Sequence, residues 1–246
     1  MHVTFLGTGS ALPTGHRYQT GVLLQSNGDT LLVDCGSGVL QRLQQTEVGY
    51  EGVSHVLLTH HHLDHIADIM PLLKARWLAG EEHLELVGPT GTKALLDGLL
   101  DVHDYMQDRL DLAVREVGPH EFSVGGFDVD AMDTRHSMHC LAYRFAGETG
   151  DFTFSGDSDA FDGLARFADG SAVLAHDCSF PDDVDVSGHP TPSQLGAALS
   201  GYEIGKLYLT HLYPHTEGRH EEMLRSIGEQ YDGDVSIAED LLQVDV

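Results

Sequence analysis

The stretch Thr59-His60-His61-His62-Leu63-Asp64-His65-Ile66-Ala67-Asp68 decides the fold, because it carries four histidines and two carboxylates in ten residues. It directly follows the aliphatic run Val56–Leu58, which is typical of a buried strand. From Ile66 onward the apolar residues recur at helical spacing, so we predict a helix that begins near Asp64 or His65. The cluster therefore lies on a strand-to-helix turn, where α/β proteins carry their functional groups.

The spacing of these side chains predicts a metal site. In an extended chain, side chains two residues apart point the same way, so His60 and His62 can bind one cation. Asp64 and His65 lie where the chain turns into the helix and can face a second cation. Imidazole and carboxylate ligands suit zinc, with manganese or iron as alternatives. The other interpretation is an exposed histidine-rich loop without metal, but the apolar flanks of the stretch disfavour it.

Length and composition predict one domain over residues 1–246, since no linker-like stretch divides a chain that is 41% apolar. The sequence has no run of eighteen apolar residues and no signal-peptide pattern. We therefore expect a soluble, cytoplasmic protein with no membrane partner. The three cysteines, Cys35, Cys140 and Cys178, are widely spaced and are expected to be small buried side chains.

The charge balance indicates a habitat more than a partner. Asp and Glu number 39 against 13 Lys and Arg, which gives a net charge of −26, and only three residues are lysines. Such a surface repels itself and polyanions at ordinary ionic strength, whereas molar salt shortens the screening length to about 3 Å. We interpret the composition as adaptation to a salt-rich cytoplasm, as in a halophilic archaeon.

Residues that can bind metal recur where the predicted strands end. A hairpin over 20–33 runs into Asp34, and four later strand ends carry such residues too: His136, Asp157, Asp177 and His211. Helices are predicted over three segments: 39–45, 93–100 and 104–112. Two further helices are predicted, one capped by Thr191 and Pro192 and one over 221–230. This order of segments suits an α/β protein with two mixed sheets packed face to face and helices outside.

The His-x-His-x-Asp-His pattern resembles the signature of the metallo-β-lactamase superfamily, and the later strand ends match that superfamily in order. The resemblance is nearest to its ribonuclease Z-like branch. It implies a four-layer αββα sandwich with two zinc ions. It also implies the ligands: His60, His62 and His136 for one ion, Asp64, His65 and His211 for the other, and Asp157 as the bridge. Asp34 and Asp177 would support these ligands from behind, although the resembling enzymes usually carry glutamate at the position of Asp177.

The resemblance also implies a mechanism. Two Zn²⁺ ions, or Mn²⁺ or Fe²⁺ in their place, would lower the pKa of a bridging water and neutralise charge on a substrate oxygen. Asp64 would orient or deprotonate that water. His189 would act as the general acid for the leaving group. The other histidines are expected at the rim or surface: His61, His139, His215 and His220.

A phosphodiester is the predicted substrate of this binuclear zinc hydrolase. The alternative within the branch is ribonuclease Z itself, which processes tRNA 3′ ends; residues 13–18 resemble its Pro-x-x-x-Arg-Asn loop, except that Tyr18 replaces the asparagine. Its basic tRNA-binding arm has no room in the twenty residues between His136 and Asp157. The chain also lacks the basic run that nucleic-acid binding needs. A small phosphodiester, such as a cyclic nucleotide, is therefore favoured over nucleic acid.

Two other classes of function stay open. The same metals support hydrolysis of a thioester, lactone or β-lactam. A metal-binding module without turnover is the non-enzymatic alternative, and the presence of every expected ligand argues against it. The sequence leaves a homodimer open.

Overall fold

In the computed structural model, which describes residues 1–184 and 186–246, alternating apolar residues build two sheets. In chain order the strands are β1 (His2–Gly7), β2 (Gly21–Ser26), β3 (Asp29–Val33), β4 (His55–Leu57), β5 (His83–Pro89), β6 (Asp111–Val117), β7 (Phe122–Val124), β8 (Phe127–Asp133), β9 (Leu141–Phe145), β10 (Phe152–Phe154), β11 (Val173–Asp177), β12 (Lys206–Thr210), β13 (Val235–Ile237) and β14 (Gln243–Asp245). The first sheet has the order β14-β1-β2-β3-β4-β5-β6, and the second has the order β13-β12-β11-β10-β9-β8-β7.

Both sheets are mixed, as the sequence predicts. In the first, β14, β1, β2 and β3 pair antiparallel, whereas β3, β4, β5 and β6 pair parallel. In the second, β7, β8, β9 and β10 pair antiparallel, whereas β10, β11, β12 and β13 pair parallel. The parallel strands of each sheet therefore end at a common edge, which is where α/β proteins place their sites.

The helices cover the outer faces of the sheets. In chain order they are α1 (Val39–Leu43), α2 (Leu63–Ile66), α3 (Ile69–Ala79), α4 (Thr92–Val102), α5 (Asp162–Ala168), α6 (Pro192–Leu199) and α7 (His220–Ile227). The predicted cap of α6 is present, because the Thr191 amide donates to Gln194 Oε1 at 2.9 Å and Pro192 begins the helix. No helix in the described ranges combines the length and the hydropathy needed to cross a bilayer.

Three apolar cores separate four layers. The central core lies between the sheets and joins residues such as Phe5 and Leu24 from the first to Phe145 from the second. On β2 the intervening Leu23 points the other way, into a core with α1, α3 and α4. A third core joins the second sheet to α5, α6 and α7. This αββα arrangement confirms the predicted sandwich.

The predicted helical segment over 104–112 is wrong. Residues Asp104–Met106 form a single 3₁₀ turn, and Asp111–Val117 is strand β6 at the edge of the first sheet. Leu112 and Val114 alternate along β6 and pack into the core beside α4. That two-residue period begins only where the predicted segment ended, so the segment gave no sign of it. The helix after the histidine stretch begins at Leu63, slightly earlier than predicted, and is interrupted between α2 and α3.

The excess of carboxylates leads to a prediction about folding. With a net charge of −26, self-repulsion opposes the compact state at low salt. We expect the thermal midpoint of unfolding to rise steeply as potassium chloride is raised from low to molar concentration, because the added ions screen that repulsion. Differential scanning fluorimetry across the series measures it. A flat or falling midpoint would contradict the interpretation of a salt-adapted surface.

Candidate metal centre

The candidate centre lies where six strands end at one edge of the sandwich. Its side chains follow or close strands β3, β4, β8, β10, β11 and β12. Together they are Asp34, His60, His62, Asp64, His65, His136, Asp157, Asp177 and His211. The two sheets contribute in turn, the first supplying residues 34–65 and the second residues 136–211. The structure thus brings together every metal ligand that the sequence and the resemblance predict.

Two of these residues have an unusual backbone. Asp34 directly follows β3 with φ of 59°, and His211 directly follows β12 with φ of 58°. This left-handed conformation is uncommon for residues with a side chain and costs roughly 1–3 kcal/mol. Gly156 also has positive φ, and a Cβ there would lie only 3.0 Å from the sulfur of Cys140. The chain therefore accepts local strain at Asp34 and His211, and uses a glycine before Asp157, to turn these three side chains into the centre.

Asp157 lies at the middle of the centre. Its Oδ1 is 3.3 Å from Nε2 of His65, and its Oδ2 is 3.6, 3.7 and 3.4 Å from the Nε2 atoms of His60, His136 and His211. The side chain is almost completely buried. Burial raises the pKa of Asp157, but the imidazoles of His211 and His65 outweigh it and hold that pKa well below its usual value. A carboxylate in this position can bind two cations at once.

The remaining ligands form one set on each side of Asp157. On one side, Nδ1 of His62 lies 3.1 Å from Nε2 of His60 and 3.0 Å from Nε2 of His136. On the other, Asp64 Oδ2 lies 3.2 Å from Nε2 of His211 and 3.9 Å from Nε2 of His65. Donor atoms this close together can share one ion in each set. The grouping matches the one that the resemblance implies.

Hydrogen bonds behind one ligand of each set fix which ring nitrogen faces the centre. Asp34 Oδ2 accepts from Nδ1 of His65 at 2.7 Å and from the hydroxyl of Thr59 at 2.8 Å. The Thr59 oxygen in turn lies 3.0 Å from Nδ1 of His60 and accepts its proton. Both imidazoles therefore present Nε2 inward, as metal-binding histidines do. Asp34 thus holds His65 directly and His60 through Thr59, from the position that the resemblance implies.

The chemistry of these donors fits divalent cations. Nε2 of His65 is fully buried and makes no hydrogen bond to any described residue, so a cation would satisfy it. Burial holds the pKa of His60 well below its usual value, which keeps that imidazole neutral and able to bind metal. Burial also lowers the pKa of His65, but Asp157 and Asp34 outweigh it and raise that pKa well above the usual value. A bound cation would displace this proton, so metal affinity is expected to fall as pH falls.

His189 and Asp177 form a hydrogen-bonded pair beside the centre. Nδ1 of His189 donates to Asp177 Oδ2 at 2.7 Å, and the His189 ring stacks at 5.2 Å on His211. Burial lowers the pKa of His189, but the Asp177 carboxylate outweighs it and raises that pKa to about 9. The shorter aspartate thus reaches His189 although the resembling enzymes usually carry glutamate. These two residues and His211 also form, with Asp157, a further group of donors close enough for an ion.

Ser179 is a member of the centre that the sequence analysis missed. Its hydroxyl donates to Asp177 Oδ1 at 2.6 Å, and its oxygen accepts from Nδ1 of His211 at 2.9 Å. This bond leaves Nε2 of His211 facing Asp64 and Asp157. The sequence indicates only that Ser179 and Asp177, two residues apart, share a side in extended chain; the contact with His211 depends on the pairing of β11 with β12.

Replacing Ser179 by alanine is expected to weaken zinc binding by roughly 10- to 100-fold, the usual cost of losing a partner that orients a ligand. Competition with a chromophoric chelator measures this affinity. Ser171→Ala is the matched control. Ser171 is also buried, but it precedes β11, whereas Ser179 follows it, and it bonds Thr153. Equal affinity in the two variants would show that Ser179 does not orient His211.

The other histidines stay outside the centre, as predicted. His61 turns away and donates from Nε2 to the Thr92 hydroxyl at 2.8 Å. His139 and His215 are exposed, and His220 is half-buried in α7. The three cysteines are buried and unpaired, as predicted. Burial raises the pKa of all three thiols well above the usual value, and none of them belongs to a group of donors close enough to share an ion among the described residues.

The fold and this centre define a class, the metallo-β-lactamase-fold hydrolases that depend on a divalent metal. The chain belongs to the family described as Anti-Pycsar protein Apyc1, whose model matches residues 1–227. A ribonuclease Z of Mycobacterium marinum (strain ATCC BAA-535 / M) is 30% identical over 275 residues, covering 100% of this chain and 99% of the relative. These matches confirm the predicted superfamily and its ribonuclease Z-like branch, and they favour a hydrolase over a non-catalytic module.

Solved structures agree with this classification. The metallo-beta-lactamase fold protein YhfI from Bacillus subtilis superposes with a TM-score of 0.85 at 28% identity, covering 99% of this chain and 98% of its own. Zn(2+)-bound PqqB from Methylobacterium extorquens superposes with a TM-score of 0.81 over 100% of both chains. Its identity is 17%, so that likeness shows the fold alone.

Proposed function

We propose that this chain is a phosphodiesterase that works with two divalent cations, zinc first among them. The observation that carries this proposal is the position of Asp157, within 3.3–3.7 Å of four imidazole Nε2 atoms from both ligand sets. The imidazole and carboxylate donors that lie close together here suit zinc. When bound, such cations lower the pKa of water and offset negative charge on phosphoryl oxygens.

The residues of the chain supply orientation and proton transfer. Asp64 is nearly buried, and its Oδ2 faces the centre beside His211, where it can orient the attacking water and accept its proton. His189 presents Nε2 on the other side of its bond to Asp177, so it can donate a proton to the oxygen of the leaving group. Asp177 fixes the ring and stabilises its protonated form. Attack and leaving-group protonation are thus assigned to separate residues.

A small phosphodiester, such as a cyclic nucleotide, is our first candidate for the substrate. Strands β9 and β10 are joined by residues 146–151 alone, so nothing resembling an RNA-binding arm extends from this turn. The alignment with the Mycobacterium ribonuclease Z runs over 275 positions, whereas this chain has 246 residues, so the relative carries segments with no counterpart here. The net charge of −26 also disfavours contact with a polyanion.

Endonucleolytic cleavage of RNA is the second candidate, and the names of the curated relatives favour it over the first. Those relatives are named ribonuclease Z and match the full length of this chain. Both candidates use the same centre and cleave the same kind of bond. They differ only in what the protein contacts beyond the metals.

A direct comparison of substrates separates the two candidates. We expect hydrolysis of bis(p-nitrophenyl) phosphate and of cyclic nucleotides, and poor cleavage of precursor tRNA. The chain has few Lys and Arg side chains that could contact RNA phosphates and release the counterions bound there. The assays are run at high potassium chloride with zinc or manganese, so that misfolding is not mistaken for selectivity. A thioester and a lactone complete the panel.

The pattern of substrates hydrolysed distinguishes the two candidate functions. Efficient cleavage of precursor tRNA at its 3′ end would instead establish the second candidate, an endoribonuclease. Turnover of the thioester or lactone without turnover of any phosphodiester would contradict both candidates. Asp157→Ala serves as the control in every assay, since it removes the residue shared by the two ligand sets.

A further inference from the structure

Tyr213 forms part of the wall of the metal centre and has no part in the proposed proton transfers. It lies two residues beyond His211, and its ring centroid is 5.8 Å from that of His211 and 5.9 Å from that of His189. Both histidine rings stand at steep angles to it, 64° and 62°. Tyr213 therefore lies beside one ligand and beside the proposed general acid.

The ring of Tyr213 is held from behind. Phe180, which is 5% exposed, stacks on it with a centroid distance of 4.5 Å and an interplanar angle of 27°. Such stacked pairs contribute about 0.5–1.5 kcal/mol beyond burial. A ring fixed in this way places its hydroxyl at a defined position, which is what a substrate-binding group requires.

Two buried tyrosines, Tyr143 and Tyr231, use their hydroxyls within the fold, whereas Tyr213 does not bond its own to any described residue. Tyr143 donates to the Leu58 carbonyl at 2.7 Å, and Tyr231 donates to the Ile204 carbonyl at 3.4 Å. Within residues 1–184 and 186–246, the hydroxyl of half-buried Tyr213 makes no hydrogen bond. A phenol has an ordinary pKa of about 10, so at neutral pH this hydroxyl carries a proton that it can donate.

We propose that Tyr213 is a substrate-binding residue whose hydroxyl donates a hydrogen bond to an oxygen of the bound phosphodiester. This inference rests on the proposed function. A phosphodiester at the centre carries two non-bridging oxygens that accept hydrogen bonds, and the described wall beside Asp64, His189 and His211 offers the unpaired Tyr213 hydroxyl as a donor. This hydrogen bond complements the proton from His189. Tyr213 stabilises negative charge on a non-bridging oxygen, whereas His189 protonates the oxygen of the leaving group.

The test uses Tyr213→Phe, which removes one oxygen and keeps the ring on Phe180. With the zinc-loaded full chain we expect kcat/KM for bis(p-nitrophenyl) phosphate to fall about 10- to 100-fold, the range for a hydrogen bond to a charged group. Calorimetry is expected to show weaker binding of inorganic phosphate by a similar factor. Zinc stoichiometry and the thermal midpoint are expected to stay the same. Tyr202→Phe is the matched control, since it removes a hydroxyl that bonds Asp162, and neither residue belongs to the donor groups of the centre.

The outcomes separate this inference from the proposed function. Unchanged phosphate binding and turnover in Tyr213→Phe would overturn the role of the hydroxyl. A wild-type protein that hydrolyses no phosphodiester would overturn the proposed function, and phosphate binding would then decide the role of Tyr213 by itself. Loss of zinc in Tyr213→Phe would show a structural role and would also count against the inference.

Discussion

Asp157→Ala is expected to abolish measurable turnover, by at least roughly a thousandfold, and to weaken metal binding in both sets of ligands. The reason is geometric: Asp157 lies close to four imidazoles at once, so its removal opens both ion sites. Losing several kcal/mol of charge stabilisation corresponds to a rate loss of this size. Elemental analysis and the hydrolysis of bis(p-nitrophenyl) phosphate measure the two effects.

Two further variants make this result interpretable. Asp157→Asn keeps the shape of the side chain and removes its charge, and we expect it to lose nearly as much activity. Asp232→Asn removes an exposed carboxylate at the opposite edge of the second sheet and is expected to behave as wild type. If Asp157→Asn keeps two zinc ions per chain and normal turnover, the bridging role assigned to Asp157 is wrong.

His189→Ala is expected to slow hydrolysis by roughly two to four orders of magnitude while zinc stays bound, because the variant lacks the general acid. The loss is expected to be greatest with an alkoxide leaving group, such as the ribose oxygen of a cyclic nucleotide, and smaller with p-nitrophenolate. Steady-state kinetics on the two substrates measures this difference. His139→Ala is the control, since His139 is exposed and bonds Asp133 outside the centre. Loss of zinc from His189→Ala would instead identify His189 as a metal ligand.

The pH dependence of hydrolysis follows from the hydrogen-bonded pair of His189 and Asp177. His189 acts as an acid only when protonated, so kcat/KM is expected to fall as pH rises through its pKa. The Asp177 carboxylate raises that pKa to about 9, and bound cations lower it from there, so the falling limb is expected at or below pH 9. In the metal-free protein the raised pKa means that the pair stabilises the fold fully below pH 6.5. This stabilisation is lost as pH rises through about 9.

Half of the centre could be predicted from local sequence. His60, His62, Asp64 and His65 lie on one strand-to-helix turn, and their spacing of two residues followed by the start of α2 fixes their directions. His136, Asp157 and His211 are distant along the chain. Their place in the centre depended on the order of motifs in a known superfamily, since periodicity carries no information about contacts between sheets.

The parts that the sequence did not predict depend on contacts between distant segments. Ser179 and Tyr213 have ordinary side chains, and only the approach of β11 to β12 brings Ser179 to His211. The first two residues of β6 were included in the helix predicted over 104–112, because the alternation along the strand begins where that segment stops. Its pairing with β5 along seven residues, rather than local propensity, determines its conformation.

The division of the ligands between the two sheets has a consequence for assembly. Asp64 and His65 come from the first sheet, whereas Asp157 and His211 come from the second. Neither half of the chain can therefore bind a cation tightly before the two halves have docked. An ion present at a concentration of a hundred times its dissociation constant stabilises the docked state by about 2.7 kcal/mol. A bound ion therefore acts as a removable cross-link between the two sheets. Chelation is therefore expected to lower the stability of the folded chain as well as its activity.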